Sequence, residues 1–260
     1  MTEVALVGFA SSATAADLPP QPVYRSAAVA VPVANWTGFY VGLGGGYGLY
    51  DADTRSTSTS TVLFGAPLTT SSPTATTGGK GYFGRVQIVY DYQFANQWLL
   101  GAFADWDFSS IKGTIADPVL AGLVPLKQTS AWGAGGRIGY LVTPQILTFF
   151  DGGYASARFK GGPEAAVFPL TPPGTPLGIT LPNQTYSGYF LGGGTEIMIF
   201  PGWFAKSEYR LASYGAKTTT ALVGPPATTG FFSTSAANYT VKPIVQTISA
   251  ELVYKFNWGR

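Results

Sequence analysis

The 260-residue chain contains no cysteine and no histidine. The first absence excludes disulfides, thiolate metal sites and cysteine nucleophiles. The second removes the commonest general base and metal ligand. Charge is also scarce. Only 11 % of residues are charged, the formal net charge is +2, and no basic run occurs, so a nucleic-acid partner has no electrostatic footprint. Beyond the N-terminus no apolar run reaches the ~18 residues that a membrane-spanning helix needs. Glycine, at 34 residues, and aromatic side chains, at 15 %, are abundant instead. This length suits one large all-β domain.

The pattern that organises the chain is clearest at its end. In residues 247–258, Ile248, Ala250, Leu252, Tyr254 and Phe256 alternate with Ser249, Glu251, Val253 and Lys255. Such alternation gives a strand with one apolar face and one largely polar face. It recurs in segments 36–47, 82–94, 98–108, 130–142, 146–157, 186–200 and 203–214, making eight in all. Ile88 and Tyr90 oppose Arg85, Gln87 and Asp91; Tyr209 and Leu211 oppose Lys206, Glu208 and Arg210. Connections alternate between short (94–97, 143–145, 201–202) and long (51–80, 109–127, 158–185, 215–241), the long ones rich in Thr, Ser, Pro and Gly. Strands of this kind with unequal connections predict an eight-stranded antiparallel transmembrane β-barrel, with apolar faces toward lipid, short periplasmic turns and long extracellular loops. A soluble β-sandwich is the alternative fold.

The N-terminus carries a short apolar stretch, residues 4–15, ending in Ala13-Thr14-Ala15. This reads as the end of a secretory signal, although no Lys or Arg precedes it. Residues 16–35, with Pro19, Pro20, Pro22 and Pro32, read as an extended periplasmic linker, and 36–260 as the barrel.

The chain resembles a known family in Asp17-Leu18-Pro19-Pro20, in Trp36-Thr37-Gly38-Phe39-Tyr40-Val41-Gly42, in Tyr47-Gly48, in Lys206-Ser207-Glu208-Tyr209-Arg210 and in Tyr254-Lys255-Phe256. It looks like the small outer-membrane β-barrel surface proteins of alphaproteobacteria, in the opacity-protein and OmpA-barrel-like superfamily. The resemblance covers residues 17–258. It implies an outer-membrane location and a structural, antigenic or minor porin role, with no catalytic residues and no cofactor. Expected partners are outer-membrane lipid, lipopolysaccharide and, through the C-terminal strand, the barrel-assembly machinery. Such barrels usually end on an aromatic, whereas here Gly259-Arg260 follow Trp258.

The candidate site is the polar lumen face. It collects Arg85, Asp91, Asp105, Asp107, Arg137, Asp151, Glu196, Lys206, Glu208, Arg210, Glu251 and Lys255. A barrel of eight strands is only about as wide as its own side chains, so an ion-paired plug is expected over a selectivity filter or proton path. Asp105 and Asp107 should pair with lumen cations. Gly42-Leu43-Gly44-Gly45-Gly46 reads as space opposite large side chains, not as a dinucleotide loop. Trp36, Trp98, Trp203 and Trp258, near strand ends, suggest one aromatic girdle. Three glycosylation sequons, beginning at Asn35, Asn183 and Asn238, carry no weight in a bacterial barrel. An outer-membrane enzyme is disfavoured by the lack of a His base. A ligand or adhesion surface using Phe168, Phe231 and Phe232 remains an alternative.

Overall fold

The alternation becomes eight long strands. The protein, described by a computed structural model over residues 35–62, 67–117, 122–166, 176–223, 228–229 and 232–256, forms β1 (Gly38–Val62), β2 (Ala75–Phe94), β3 (Trp98–Asp117), β4 (Gly122–Thr143), β5 (Ile146–Lys160), β6 (Gln184–Phe200), β7 (Trp203–Tyr214) and β8 (Phe232–Phe256). Each strand pairs antiparallel with the next in sequence. β1 then pairs with β8 along its whole length, from Phe39↔Phe256 to Val62↔Phe232, and closes the ring. A closed ring has no open edge, which excludes the sandwich alternative.

Side chains alternate across this wall. Phe39, Val41, Leu43, Ile88, Leu100, Phe108, Phe150, Leu191 and Leu252 point outward and are exposed. Arg85, Asp91, Arg137, Glu196, Lys206, Glu208 and Glu251 point inward and are buried. So broad a band of outward apolar side chains exceeds what water tolerates on a monomer, and suits a lipid contact.

Short turns join strands at one end. Ala95 and Asn96 both take left-handed conformations, with φ of 48° and 62°, as a tight hairpin requires. In Pro201-Gly202 the proline presets its φ and Gly202 supplies φ of 82°.

At the opposite end the strands outrun their expected limits. The connections 51–80 and 109–127, expected as loops, are mostly paired strand: β1 continues to Val62, β2 begins at Ala75, β3 reaches Asp117 and β4 begins at Gly122. Short strands Pro67–Ser71, Pro163–Ala166, Pro176–Thr180 and Lys217–Thr220 extend the wall further, and β8 starts at Phe232 instead of 247. The reason is an inversion of the pattern. Above the apolar band Tyr50, Ala52, Ile111, Ile115, Val124, Leu126 and Phe159 turn inward, while Asp51, Asp53, Lys112 and Lys160 turn outward. The strands continue, but there the polar face is outside. The expected signal and most of the linker, residues 1–34, lie outside the described residues.

The outward assignment has a direct test. Leu252 sits at the centre of the outward apolar run of β8, from Ile248 to Phe256, opposite Leu43 and Ala205. Leu252→Arg should lower unfolding free energy in phospholipid vesicles by about 2–4 kcal/mol. Unchanged stability would show that this face does not meet hydrocarbon.

Candidate functional site

Apart from Lys255 at the rim, the inward candidate charges gather in the middle of the lumen in two clusters. Seven of the eight strands supply them, and β1 supplies glycines. Gly44 and Gly46 let β8 approach closely: a Cβ on Gly44 would lie 2.2 Å from the Ala250 carbonyl oxygen, and one on Gly46 2.0 Å from that of Ile248. The glycine run therefore serves backbone approach as well as interior space; a Cβ on Gly46 would also stand 2.8 Å from the Phe83 ring.

Glu208 is the hub. Its Oε1 accepts from Arg210 Nε at 2.8 Å and from Arg85 Nη1 at 3.2 Å, and its Oε2 lies 2.6 Å from Lys206 Nζ. Arg85 also forks onto Asp107, with Nε and Nη2 donating at 2.7 and 2.9 Å. Arg210 Nη1 donates to Asp105 Oδ1 at 3.0 Å. Lys206 Nζ donates to Gln87 Oε1 at 2.7 Å and lies 3.6 Å from Glu251 Oε1. The bidentate fork is the geometry in which a guanidinium binds a carboxylate best.

A second cluster lies toward the short-turn end. Arg137 donates from Nε to Asp91 Oδ1 at 2.9 Å, from Nη2 to Asp91 Oδ2, and from Nη1 to Glu196 Oε2 at 3.0 Å. Aromatic faces fill the remaining space: the Arg210 guanidinium stands 4.2 Å from the Phe190 centroid, and Arg137 and Lys206 stand 5.3 and 5.4 Å from Phe149. Such contacts compensate partly for lost hydration. Beside Arg85, Asp105, Asp107, Gln128, Arg210 and Tyr214 there remains a cavity of about 20 Å³, room for about one water.

Apolar layers bound the charges on both sides. Toward the short turns lie Trp36, Tyr40, Leu99, Leu141, Leu147 and Phe204; toward the long hairpins lie Tyr50, Ile111, Ile115, Leu126 and Phe159. Tyr50 donates its hydroxyl proton to the Leu126 carbonyl at 3.0 Å.

Some expected site residues stand elsewhere. Trp36 is not a girdle residue. It is 0 % exposed, packs 4.7 Å from the Phe204 ring, and donates from Nε1 to the Pro144 carbonyl at 3.1 Å. Its position, in phase with inward Tyr40 and Gly42, explains this: the alternation aims it into the lumen. Trp98 and Trp203 are on the outer face, paired with Tyr140 and Tyr254. Trp258 lies outside the described residues. Lys255 is buried at the rim, where it donates to the Asn35 carbonyl and stays apart from the main network. Asp151 is inward and buried, but its Oδ1 has no hydrogen-bond partner among the described residues. Gln87, Ser249 and the inward aromatics Phe103, Phe149 and Phe190 belong to the lumen although they were not among the candidates. Their phase, shared with Asp105, Asp151 and Gly192, is the signal that marks them.

The 31 kDa outer-membrane immunogenic proteins of Brucella melitensis biotype 1 and Brucella suis biovar 1 are each 30% identical over 212 residues, covering 80% of this chain and 84% of theirs. The chain belongs to this family. It is thus an outer-membrane protein of the Gram-negative type, as the resemblance in its strand motifs implied. The outer-membrane protein OprG of Pseudomonas aeruginosa shares the fold, with a TM-score of 0.53, 16% identity, and coverage of 87% of this chain and 99% of that one. No family model matches the chain.

The hub makes a graded prediction. Away from the rim, seven buried carboxylates (Asp91, Asp105, Asp107, Asp151, Glu196, Glu208, Glu251) face four cations (Arg85, Arg137, Lys206, Arg210) among the described residues. Glu208→Gln leaves three cations short of a partner and should cost about 3–5 kcal/mol. Asp151→Asn breaks no ion pair among the described residues and relieves the carboxylate surplus, so unfolding stability in vesicles should be unchanged or higher. Equal destabilisation by both substitutions would overturn the hub assignment.

Proposed function

We propose that this outer-membrane barrel is a closed structural scaffold that presents its long hairpins at the cell surface, not a diffusion pore and not an enzyme. The observation that carries the reading is the stacking of the lumen: an ion-paired layer held between two apolar layers. An aqueous path would have to cross all three. The absence of histidine and cysteine from the whole sequence supports a non-catalytic role. Family membership beside immunogenic outer-membrane proteins fits the display of surface hairpins. The inferred orientation puts the short turns in the periplasm and the hairpins outside, as the asymmetry of such barrels favours. Outer-membrane lipid and the assembly machinery are the partners this reading requires.

Planar-bilayer recording of the refolded protein tests closure. Wild-type conductance should fall far below that of a general porin. Glu208→Gln should stay closed despite its lower stability, because both apolar layers persist. A large steady conductance in the wild type would overturn the scaffold reading in favour of a pore. Orientation is tested separately on intact cells. A tag inserted between Ser71 and Ala75, at the gap before β2, should be reached by antibody, and a tag at Asn96 should not. The reverse result would invert the barrel.

A further inference from the structure

The outer face carries a second feature at the level where the pattern inverts. Lys80 on β2 stands directly opposite Lys112 on β3, Lys112 opposite Lys127 on β4, and Lys127 opposite Lys160 on β5. Lys80, Lys112 and Lys160 are exposed and Lys127 is half-exposed. Arg158, also exposed, lies two residues from Lys160 on the same face. Four lysines thus form one row across four adjacent strands. Directly opposed side chains have Cβ atoms about 4.5–5.5 Å apart, and like charges at that spacing repel.

Among the described residues no carboxylate forms an ion pair with any of these cations. The nearest outward carboxylate on a flanking strand, Asp51, sits one step further along β1, opposite Gly78. Local geometry places the row actively. In β4 the inward positions are odd below residue 130 in height (Ala131, Gly133, Arg137) and even above it (Leu126, Gln128), with a bulge between Gln128 and Ser130. That bulge turns Lys127 outward; unbroken alternation would have aimed it into the lumen.

The level of the row indicates its partner. The first outward residue below Lys80 is Tyr82, and Phe108, Trp132 and Tyr154 close the apolar band beneath the other strands. Trp132 and Tyr154 pair with ring centroids 5.3 Å apart. Aromatics of this kind mark the edge of the hydrocarbon, and beyond it lies the head-group region; Lys80 lies past that edge by two residues, Lys112 by four, Lys127 by five and Lys160 by six. We propose that Lys80, Lys112, Lys127 and Lys160 form a docking row for the phosphate groups of a phosphorylated glycolipid of the outer leaflet, of the lipopolysaccharide class, whose acyl chains lie on the apolar band below. Each phosphate, placed between neighbouring ammonium groups, converts their repulsion into shared attraction. The proposal rests on the outer-membrane orientation inferred above.

The test compares wild type with Lys112→Gln/Lys127→Gln, refolded in phosphatidylcholine vesicles with and without lipid A. Lipid A should raise the unfolding temperature of the wild type, less so as salt increases. Removing two lysines should weaken lipid A binding on the order of twentyfold, about fivefold for each. In phosphatidylcholine alone the variant should fold at least as well as wild type, since repulsion is removed. Lys112→Arg/Lys127→Arg should keep the lipid A effect. Equal binding by wild type and the glutamine variant would overturn the proposal. So would an equal shift from inorganic phosphate or from phosphatidylglycerol, which would assign the row to free anions or to general surface charge. Destabilisation of the glutamine variant in phosphatidylcholine would make the lysines structural and also overturn it. Failure of the wild type itself to fold in either vesicle would overturn the barrel reading, and this proposal with it.

Discussion

Pairing the first strand with the last leaves no backbone edge exposed, and in lipid an exposed edge has no water to satisfy its N–H and C=O groups. β1 and β8 meet over their full lengths, and the price of that closure is a narrow interior fixed at eight strands. Every second side chain must then fit a tube barely wider than itself. The glycines of β1 follow from this, since bulk there would collide with the β8 backbone. So does the convergence of charges from opposite walls. Arg85 and Glu208, 123 residues apart in sequence, touch because the ring is small.

Ion pairs are an unexpected filling on energetic grounds alone. Buried pairs commonly recover little more than their desolvation cost. Their value here lies in register. A strand shifted by one residue exchanges its two faces. In β7 such a shift would put Lys206, Glu208 and Arg210 into lipid and leave Tyr209 and Leu211 crowding the lumen. The native register satisfies both faces at once. Charges inside and aromatics outside therefore penalise slippage more steeply than a uniformly apolar wall would.

Much of this was legible in the chain. The seventh segment, 203–214, coincides with β7, and the three short connections coincide with the observed turns, because strict alternation and Pro-Gly chemistry act locally. Inward and outward residues separated cleanly wherever charge alternated with aromatics. The strand extensions were not legible for a physical reason. A search for apolar residues on one constant face stops at the membrane edge, where water replaces lipid outside and the preferred phase inverts. Tyr50 and Ala52 keep the inward phase of Gly42 and Gly46, yet their apolar character there resembles a broken pattern. Trp36 lies near a strand end as Trp98 and Trp203 do, but its phase, shared with Tyr40 and Gly42, is inward, and phase decides the side. The pairing of Lys80, Lys112, Lys127 and Lys160 needs the cross-strand register, and no one-dimensional spacing contains it.

The inversion also changes what fills the lumen. From sequence, ion pairs alone were expected to close the barrel, which would make closure as fragile as its weakest pair. Instead the extended strands carry Ile111, Ile115, Leu126 and Phe159 above the charges, while Trp36, Tyr40 and Phe204 close the space below. The two kinds of layer depend on each other. Apolar caps exclude water, which strengthens the attraction between the pairs they cover. The pairs in turn hold strands β2, β3, β7 and β8 at the separation that keeps the caps in contact. On the proposed closed-scaffold reading, breaking one pair weakens the fold before it opens a path, so stability and conductance need not change together in this barrel.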